Sequence, residues 1–404
     1  MKFWKNRKGN IAVMTALLMP MIVGGAGLGV ETGYWYYQQL HLQQAADAAV
    51  YAAALELHEG NTSQMLSSAT AAATLNGYTS STDTISEVTP SATYPSDARS
   101  VDVSMTRSVT RGFSAVFKTT PVVLHVKATA KFDPSSNACL LALSKSSANS
   151  VWIHGNGGMD ITGCVVSSNS ISTQSIVTAG SASTSMPCMT TAGGVSLNAN
   201  VTFTDATCTS ALTGQLPVSD PYNSVPVPSP GSCKTWEANA SHTPGTYCTI
   251  NSGINSRIHT FAAGTYIFNG SAASLVVNGG GGMSCPDGCT FVFINGATVT
   301  MNGSPYINLK APTTGTYAGM LFMGDRTGSP TSMTFNGDVT SNMTGTIYFP
   351  NDNVTYAGNF SGFNGCTQVV AYTIEWTGNT NLKVDCSTYG MGKIQVGGRP
   401  YLVG

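Results

Sequence analysis

A charge-free apolar stretch near the N-terminus constrains this chain more than any other feature of its sequence. The twenty residues from Ile11 to Val30 contain no charged side chain. At about 1.5 Å per residue, a helix of this length spans roughly 30 Å, the thickness of the hydrocarbon core of a bilayer. The sequence therefore predicts one membrane-spanning helix. A polytopic membrane protein does not fit, because no second stretch is as long and apolar.

The charges that flank this stretch are uneven. No acidic residue occurs before Glu31, and the residues that precede the stretch include four basic ones, Lys2, Lys5, Arg7 and Lys8. By the positive-inside rule these cations keep the N-terminus in the cytoplasm, so the chain after Val30 is predicted to lie outside it. A cleaved signal peptide is the alternative, but its hydrophobic region is typically about 7–15 residues long. The apolar stretch here is longer, which favours an uncleaved signal anchor.

The sequence after Glu31 predicts that the helix continues out of the membrane. An aromatic cluster comes first, and rings of this kind favour the membrane–water interface. The cluster consists of Tyr34, Trp35, Tyr36 and Tyr37. Helix-favouring Ala, Leu and Gln then follow without Gly or Pro until Gly60, so we expect one helix from about Ile11 to Leu57. A second, shorter helix is predicted over 63–75.

The order of motifs along this helix resembles the N-terminal module of Tad (tight adherence) pilus-assembly proteins of the TadE/TadG type. The residues that carry the resemblance are Gly9, Asn10, Pro20, Glu31, the aromatic cluster, and the run Leu42, Gln43, Gln44, Ala45, Ala46, Asp47, Ala48 and Ala49. Processed type IV pilins carry Glu five residues after a Gly cleavage point, whereas Met14 stands five residues after Gly9 here. This difference favours a TadG-like anchored protein over a TadE-like pseudopilin.

The resemblance implies a membrane-anchored component of a Tad/Flp-type pilus assembly system. The protein would cross the bacterial inner membrane once, with its N-terminus in the cytoplasm and the bulk of the chain periplasmic or extracellular. The implied partners are the lipid bilayer and other Tad/Flp pilus assembly proteins. Envelope polysaccharide or a host surface would be further partners of the chain outside the membrane.

A small pilin-like α+β region is predicted over 61–134, after an anchor over 1–60. Its apolar and polar residues alternate as in strands, with Val101, Val103 and Met105 on one face. The neighbouring Asp102-x-Ser-x-Thr sequence is similar to the metal-binding loop of von Willebrand A domains. Because it lies inside an alternating strand, we interpret it as a polar strand face and not as a metal site.

All ten cysteines lie between Cys139 and Cys386, and an even number in a chain with few charges indicates an oxidising compartment. Ten cysteines allow many pairings. The pairing of consecutive cysteines predicts five bridges: Cys139–Cys164, Cys188–Cys208, Cys233–Cys248, Cys285–Cys289 and Cys366–Cys386. The tight pair Cys285 and Cys289 has no His nearby, so a small disulfide loop is favoured over a zinc half-site.

Residues 135–404 are predicted to form an all-β ectodomain that contains these cysteines. Short β-rich runs alternate with Asn-Gly turns, which fit either an irregular parallel β-helix or a β-sandwich, and we favour the β-helix. The Pro-rich sequence over 215–245 interrupts the pattern and is interpreted as a loop or linker between two halves. The expected fold is thus an α+β N-terminal region with one long transmembrane helix, followed by an all-β ectodomain.

Catalysis has little support in the sequence, and a nucleic-acid binder is excluded because only 9% of residues are charged and the net charge is −1. The main alternatives are a β-helix polysaccharide-processing enzyme and an adhesin. Stacked coils could bring together Asp325, Asp338 and Asp352, and the pair Asp325 and Arg326 is the first candidate site, although a solvated turn pair is favoured. We predict a non-enzymatic protein without catalytic, cofactor or metal residues.

Overall fold

The chain divides into two compact units. The structure, a computed structural model, describes residues 7–58, 60–132, 136–156, 158–181, 183–237, 240–337, 340–357, 365–377, 380–383, 386–398 and 400–403. The first unit comprises Met1–Asp133 and Pro400–Gly404, and the second comprises Pro134–Arg399. The C-terminal segment thus belongs to the first unit, whereas the sequence assigned it to the β-rich ectodomain.

Two α-helices, four short 3₁₀ helices and 29 strands make up the described chain. The helices are α1 (Arg7–His58) and α2 (Met65–Leu75), with 3₁₀ turns at Thr62–Gln64, Phe113–Val116, Ser271–Ala273 and Ser387–Tyr389. The strands are β1 (Asp83–Val88), β2 (Ser100–Val109), β3 (Val122–Phe132), β4 (Ser136–Ala142), β5 (Val151–Ile153), β6 (Gly158–Thr162), β7 (Val165–Ser168), β8 (Ile176–Thr178), β9 (Ser183–Met186), β10 (Met189–Thr191), β11 (Val195–Leu197), β12 (Asn200–Phe203), β13 (Cys233–Lys234), β14 (Ser241–His242), β15 (Gly245–Tyr247), β16 (Ile258–Phe261), β17 (Gly264–Asn269), β18 (Leu275–Val277), β19 (Gly282–Cys285), β20 (Cys289–Ile294), β21 (Val299–Met301), β22 (Tyr306–Lys310), β23 (Met320–Gly324), β24 (Ser332–Phe335), β25 (Asn342–Tyr356), β26 (Thr367–Trp376), β27 (Thr380–Lys383), β28 (Ile394–Val396) and β29 (Pro400–Leu402).

In the first unit, the long helix α1 extends over 52 residues, which confirms the predicted long apolar helix. It contains Pro20 and is long and apolar enough to cross a membrane. The side chains of 12–30 are exposed or partly exposed, whereas one face of the second half of α1 packs on a sheet. That sheet is antiparallel, in the order β1-β2-β3-β29, and α2 packs beside it on α1.

The second unit is built from parallel strands that stack in three columns. One column contains β17, β20, β23, β25 and β26, a second contains β18, β21 and β24, and a third contains β16, β19 and β22. β25 contributes to all three columns in turn. This confirms a mostly β region with parallel sheets. Antiparallel pairing, which β-sandwiches use, occurs among the described strands of this unit only between β28 and β4.

The order of the strands in space differs from their order in the chain. The last long strand, β26, pairs in parallel with β4 and β5, the first strands of the unit. The coils of 136–203 therefore continue the stack that 233–376 begins. The residues between these two segments must return along the stack, and 213–232, which we call the strap, do so on the outer face of one column.

The strap contacts one level of the stack after another. Near its start, the backbone of Val218 exchanges two hydrogen bonds with the Asn169 side chain, at 2.7 and 2.8 Å. The hydroxyl of Tyr222 then donates to the Gln368 side chain at 2.6 Å. The carbonyl of Pro226 accepts a hydrogen bond from the hydroxyl of Tyr317, which follows β22. The predicted linker is thus a packed segment in its Pro-rich first part, and the remainder of 215–245 contributes β13, β14 and β15.

Five disulfides brace the second unit. They join the consecutive cysteines that the sequence spacing pairs: Cys139–Cys164, Cys188–Cys208, Cys233–Cys248, Cys285–Cys289 and Cys366–Cys386. Cys285 and Cys289 are joined to each other, so their thiolates are not available to a metal. All of these cysteines except Cys233 and Cys248 are buried.

Candidate functional site

The family motif on α1 forms the packing face of that helix. Leu42, Ala45, Ala46 and Ala49 are fully buried, at the i, i+3, i+4 and i+7 spacing that puts residues on one side of a helix. They pack on Val101 and its neighbours in β2 and β3. Alanine has no atoms beyond Cβ, so the helix can approach the sheet closely. The small residues of the motif therefore set the distance between helix and sheet.

The polar members of the motif lie at the rim of this face. The Gln43 amide donates to the Asp47 carboxylate at 2.8 Å and to the carbonyl of Lys127 in β3 at 3.2 Å. Asp47 and Ala48 are only partly buried. One turn of the motif thus combines a buried apolar contact with a hydrogen bond that fixes the register of α1 on β3.

A buried ion pair that the sequence analysis did not identify joins α1 to the sheet. Arg107 in β2 donates to both carboxylate oxygens of Asp83 in β1, at 2.7 and 2.8 Å. The same guanidinium reaches Gln38 of α1 at 3.0 Å and the carbonyl of Gly77 at 2.6 Å. Burial opposes ionisation of Asp83, but the hydrogen bonds and charge of Arg107, together with hydrogen bonds from Thr79 and Thr82, outweigh it and hold the pKa of Asp83 below the usual range. One basic residue in an alternating strand carries no signal of such a role.

The Asp102 carboxylate is buried in a polar cluster and not in a metal-binding loop. It lies inside β2, and it accepts hydrogen bonds from the Ser91 and Thr129 hydroxyls at 2.6 and 2.7 Å and an ion pair from Lys127 at 2.8 Å. Burial raises the pKa of Asp102, but these donors outweigh it and leave the pKa below its usual range. Val101, Val103 and Met105 face the core.

Glu31 marks the point where the exposed half of α1 gives way to contacts with the rest of the first unit. Its carboxylate oxygens accept hydrogen bonds from the backbone N–H groups of Gly112 and Ser114, both at 2.7 Å. These donors belong to the turn that contains the 3₁₀ helix Phe113–Val116. The motif glutamate is therefore a side-chain anchor for a loop more than eighty positions later in the chain.

The aromatic cluster that follows Glu31 is mainly open to the surroundings. Tyr34, Tyr36 and Tyr37 expose half or more of their surface, whereas Trp35 is partly covered by the Arg111 guanidinium, 5.4 Å from its ring centre. Of the basic residues predicted to orient the chain, Lys2 and Lys5 lie outside the described residues. Arg7 and Lys8 belong to the first turns of α1, as do Gly9 and Asn10.

The acidic residues that an enzyme would need are partly brought together in the second unit. Asp325 and Asp352 line the same cleft of about 340 Å³. Burial and the negative charge of Asp352 raise the pKa of Asp325. Thr331 donates to Asp352 through both its backbone N–H and its hydroxyl, at 2.7 and 2.8 Å. The third predicted member, Asp338, lies outside the described residues.

Arg326, the predicted partner of Asp325, has a different role. Its guanidinium donates to the carbonyls of Tyr222 and Val225 in the strap, at 2.6 and 2.8 Å, and to the Tyr348 hydroxyl at 3.0 Å. The interpretation of Asp325 and Arg326 as a solvated turn pair is therefore wrong for Arg326. A periodicity analysis could not identify this role, since the contacts join residues about one hundred positions apart.

Metal-binding clusters are missing from the part of the chain that the structure describes, where no three His, Cys, Asp or Glu side chains lie close enough to hold an ion. Two scattered histidines do meet in the second unit. His242 and His259 are buried and share a hydrogen bond of 2.8 Å, and the ring of Trp236 stacks on His242 at 4.0 Å. Burial, together with the charge of His259, lowers the pKa of His242 to about 4.

A family model described as putative Flp pilus-assembly TadE/G-like matches residues 9–56. No curated protein and no solved structure matches the chain. The matched segment coincides with α1, from its first turns to the end of its buried alanine face. The match confirms that the N-terminal module of this chain is similar to Tad pilus-assembly proteins of the TadE/TadG type.

Proposed function

We propose that this protein is a membrane-anchored component of a Tad/Flp-type pilus assembly system, with a TadG-like domain plan. One observation carries the proposal. The segment that matches the TadE/G-like model is a single helix whose first half is apolar and exposed and whose second half is packed against its own sheet. An exposed apolar half-helix requires a nonaqueous environment, and the helix is long enough to cross a bilayer.

The proposed orientation is single-pass in the bacterial inner membrane, with the N-terminus in the cytoplasm. It rests on the four basic residues before the apolar stretch. Five disulfides in the second unit support a location outside the reducing cytoplasm for the residues after Val30. In this arrangement the first unit lies next to the membrane on the periplasmic side.

We further infer that the second unit is an irregular parallel β-helix that contacts pilus components, envelope polymers or a surface. Three columns of parallel strands, with one strand passing through all three, support this fold. Aromatic side chains stack inside it, as Tyr266 does on Phe291 and Phe291 on Phe322. A neutral surface with few charges suits contacts that depend on hydrogen bonds more than on ion pairs.

The function is tested by deleting the gene and restoring it in two forms. The intact chain should restore Flp pili on electron micrographs and adherence to a surface. A form in which residues 9–56 are replaced by an unrelated anchor helix of the same orientation should not restore them, although it reaches the membrane. Normal piliation after deletion would refute the pilus role, and full rescue by the replaced anchor would refute a role for the TadE/G-like module.

The second candidate function, polysaccharide processing, is favoured by one observation, the shared cleft of Asp325 and Asp352. Glycoside hydrolysis requires one protonated and one ionised carboxyl group, and the raised pKa of Asp325 is in that direction. The double variant D325N/D352N separates the two functions. Loss of polysaccharide turnover with intact pili would support the enzyme, and unchanged turnover would leave the cleft a structural feature.

A further inference from the structure

A short apolar loop lies beside the membrane helix in the first unit. We call residues 111–118 the aromatic loop. Phe113, Val116 and Phe117 expose 37%, 85% and 79% of their surface, and none of them belongs to the buried core of the unit. Three large exposed apolar side chains within five positions are costly in water, where each buried equivalent would gain about 1.5–3 kcal/mol. The loop therefore requires an apolar partner.

The contact between Phe113 and α1 fixes the depth of this loop in the membrane. A Cβ atom at Gly27 would lie 2.5 Å from the Phe113 ring, so glycine is the residue that lets the ring rest against the helix. Gly27 lies four residues before Glu31, which is about 6 Å further into the apolar stretch at 1.5 Å per residue. Where α1 crosses a bilayer, Phe113 is consequently at the level of the boundary between headgroups and acyl chains.

The loop is held at this depth by polar contacts on its other side. The Glu31 carboxylate accepts hydrogen bonds from the backbone N–H groups of Gly112 and Ser114. Arg111 donates to the carbonyl of Thr120 at 2.8 Å and to the Ser114 hydroxyl at 3.1 Å. The N–H groups of Gly112 and Ser114 are thus satisfied by the Glu31 side chain, and those of Ala115, Phe117 and Lys118 donate to carbonyls of the turn itself. Internal bonding of this kind suits a segment that enters an apolar phase.

A cleft of about 740 Å³ lies between the loop and α1. Its apolar wall is formed by Val23, Ala26 and Val30 of the helix and by Phe113, and its polar end is formed by Glu31. Val23 lies about 12 Å below Glu31 along the helix, so this cleft extends along the apolar stretch. Its lining is apolar at one end and polar at the other, as a lipid molecule is.

We propose that the aromatic loop inserts into the periplasmic leaflet of the bilayer as a second membrane contact, with Val116 and Phe117 among the acyl chains and Lys118 at the phosphates. The inference rests on the membrane anchoring in the proposed function. We choose lipid as the partner of the loop because Phe113 rests on α1 at Gly27, which lies inside the membrane-spanning stretch. The exposed cation next to the apolar side chains also matches anionic headgroups. Two contacts, unlike one helix, fix the tilt of the first unit on the membrane.

The test uses single added cysteines in the full chain, reconstituted in vesicles of phosphatidylethanolamine and phosphatidylglycerol. All native cysteines are in disulfides, so an added thiol can be labelled selectively with an NBD fluorophore. F117C reports on the loop and I22C, at a site 67% exposed on α1, reports on the anchor. V88C, at a site 53% exposed at the far end of the sheet, is the matched control.

We expect the label at F117C to lose fluorescence with doxyl-labelled lipids and to resist iodide supplied on both sides of the vesicles. The label at V88C should behave in the opposite way. Quenching by lipid at I22C but not at F117C would overturn the loop proposal and leave the anchor intact. A shielded label at F117C that neither quencher reaches would also overturn it, since a protein partner or a second copy would then cover the loop. No lipid quenching at either site would overturn both the anchor and the loop.

A pair of double serine variants provides a second test of the insertion. V116S/F117S removes the proposed insertion, and V88S/L402S removes two exposed apolar side chains at the end of the same sheet that lies away from the aromatic loop. In the same vesicles, the first variant should make an NBD label at Ala115→Cys, inside the loop, accessible to iodide, and the control variant should not. Equal iodide quenching in the two variants would contradict the insertion.

Discussion

The hydrophobic cores of the two units are built from side chains of very different size. The first unit closes around alanines, since Ala45, Ala46 and Ala49 of α1 meet β2 and β3. The second closes around aromatic rings, since Phe268 stacks on Phe293 with ring centres 4.7 Å apart. A helix approaches a sheet closely only if its side chains are small. Parallel strands lie about 4.8 Å apart, which matches the spacing of stacked rings, so large flat side chains can repeat from coil to coil.

The two units also differ in covalent cross-linking. The first 138 residues contain no cysteine, whereas the second unit contains all five disulfides. The first unit instead uses the buried pair of Arg107 and Asp83, which connects the middle of α1 and the turn after α2 to the sheet. The two units therefore draw their stability from different sources, covalent cross-links in the second unit and a buried ion pair in the first.

Reduction of the disulfides should have the largest effect. Each bridge contributes about 2–4 kcal/mol by restricting the unfolded chain, so losing five should exceed the effect of any one substitution. We expect hydrogen exchange to accelerate throughout 136–398 in the full chain in detergent when a reductant is added. Exchange in β1, β2 and β3 should not change. Faster exchange in both units would show that their stabilities are coupled.

The substitution F291A should have the next largest effect. Phe291 is fully buried and contacts the rings of Tyr266 and Phe322, with ring centres 5.4 and 5.3 Å away. Removing a buried phenylalanine costs about 3–5 kcal/mol, because the cavity closes only partly. The midpoint of urea unfolding of the second unit should decrease, measured by exchange in β20. The exposed control V276A should leave the midpoint close to that of the native chain.

The substitution A49L tests the alanine face of the first unit. Ala49 is fully buried against the sheet, so a leucine must push α1 away from β2 and β3. Overpacking of this kind costs about 1–3 kcal/mol. Exchange in β2 should accelerate, and exchange in β20 should not. The control Q44L adds the same side chain at an exposed position of α1, and an equal effect there would contradict the close-packing explanation.

The pH dependence of the second unit tests the buried histidine His242. His242 binds a proton at about pH 4 when folded and near its ordinary pKa of 6.5 when unfolded. Between these values the unfolded state binds more protons, so stability falls as pH decreases from 6.5 to 4. Urea midpoints measured across this range should decrease for the native chain and less for H242Q. The control H154Q should retain the native slope, and loss of the slope in both variants would exclude His242 as its source.

Local patterns in the sequence were sufficient to predict the two helices of the first unit. Helix-favouring residues without Gly or Pro predict a helix from Ile11 to Leu57, and α1 extends over Arg7–His58. The helix predicted over 63–75 is Met65–Leu75. The resemblance of the motif to the TadE/TadG type is confirmed by the family match over 9–56. These features depend on neighbours along the chain, which periodicity reports directly.

Contacts between distant parts of the chain were not predictable in this way. Arg326 holds the strap through residues about one hundred positions earlier, and Glu31 holds a turn at Gly112. The C-terminal strand β29 joins β3 in the first unit, although its composition is like that of the second. In each case the partner is selected by the three-dimensional path of the chain, and no spacing in the sequence encodes that path.

The pairing of β26 with β4 has a consequence for the order in which the protein matures. A chain synthesised from its N-terminus produces 136–203 first, and those coils then present an unpaired strand edge until Val369 and Ile374 arrive to pair with Leu140 and Val151. During this interval the edge is a site for wrong pairing with other chains. A truncated product that lacks β26 would retain this unpaired edge.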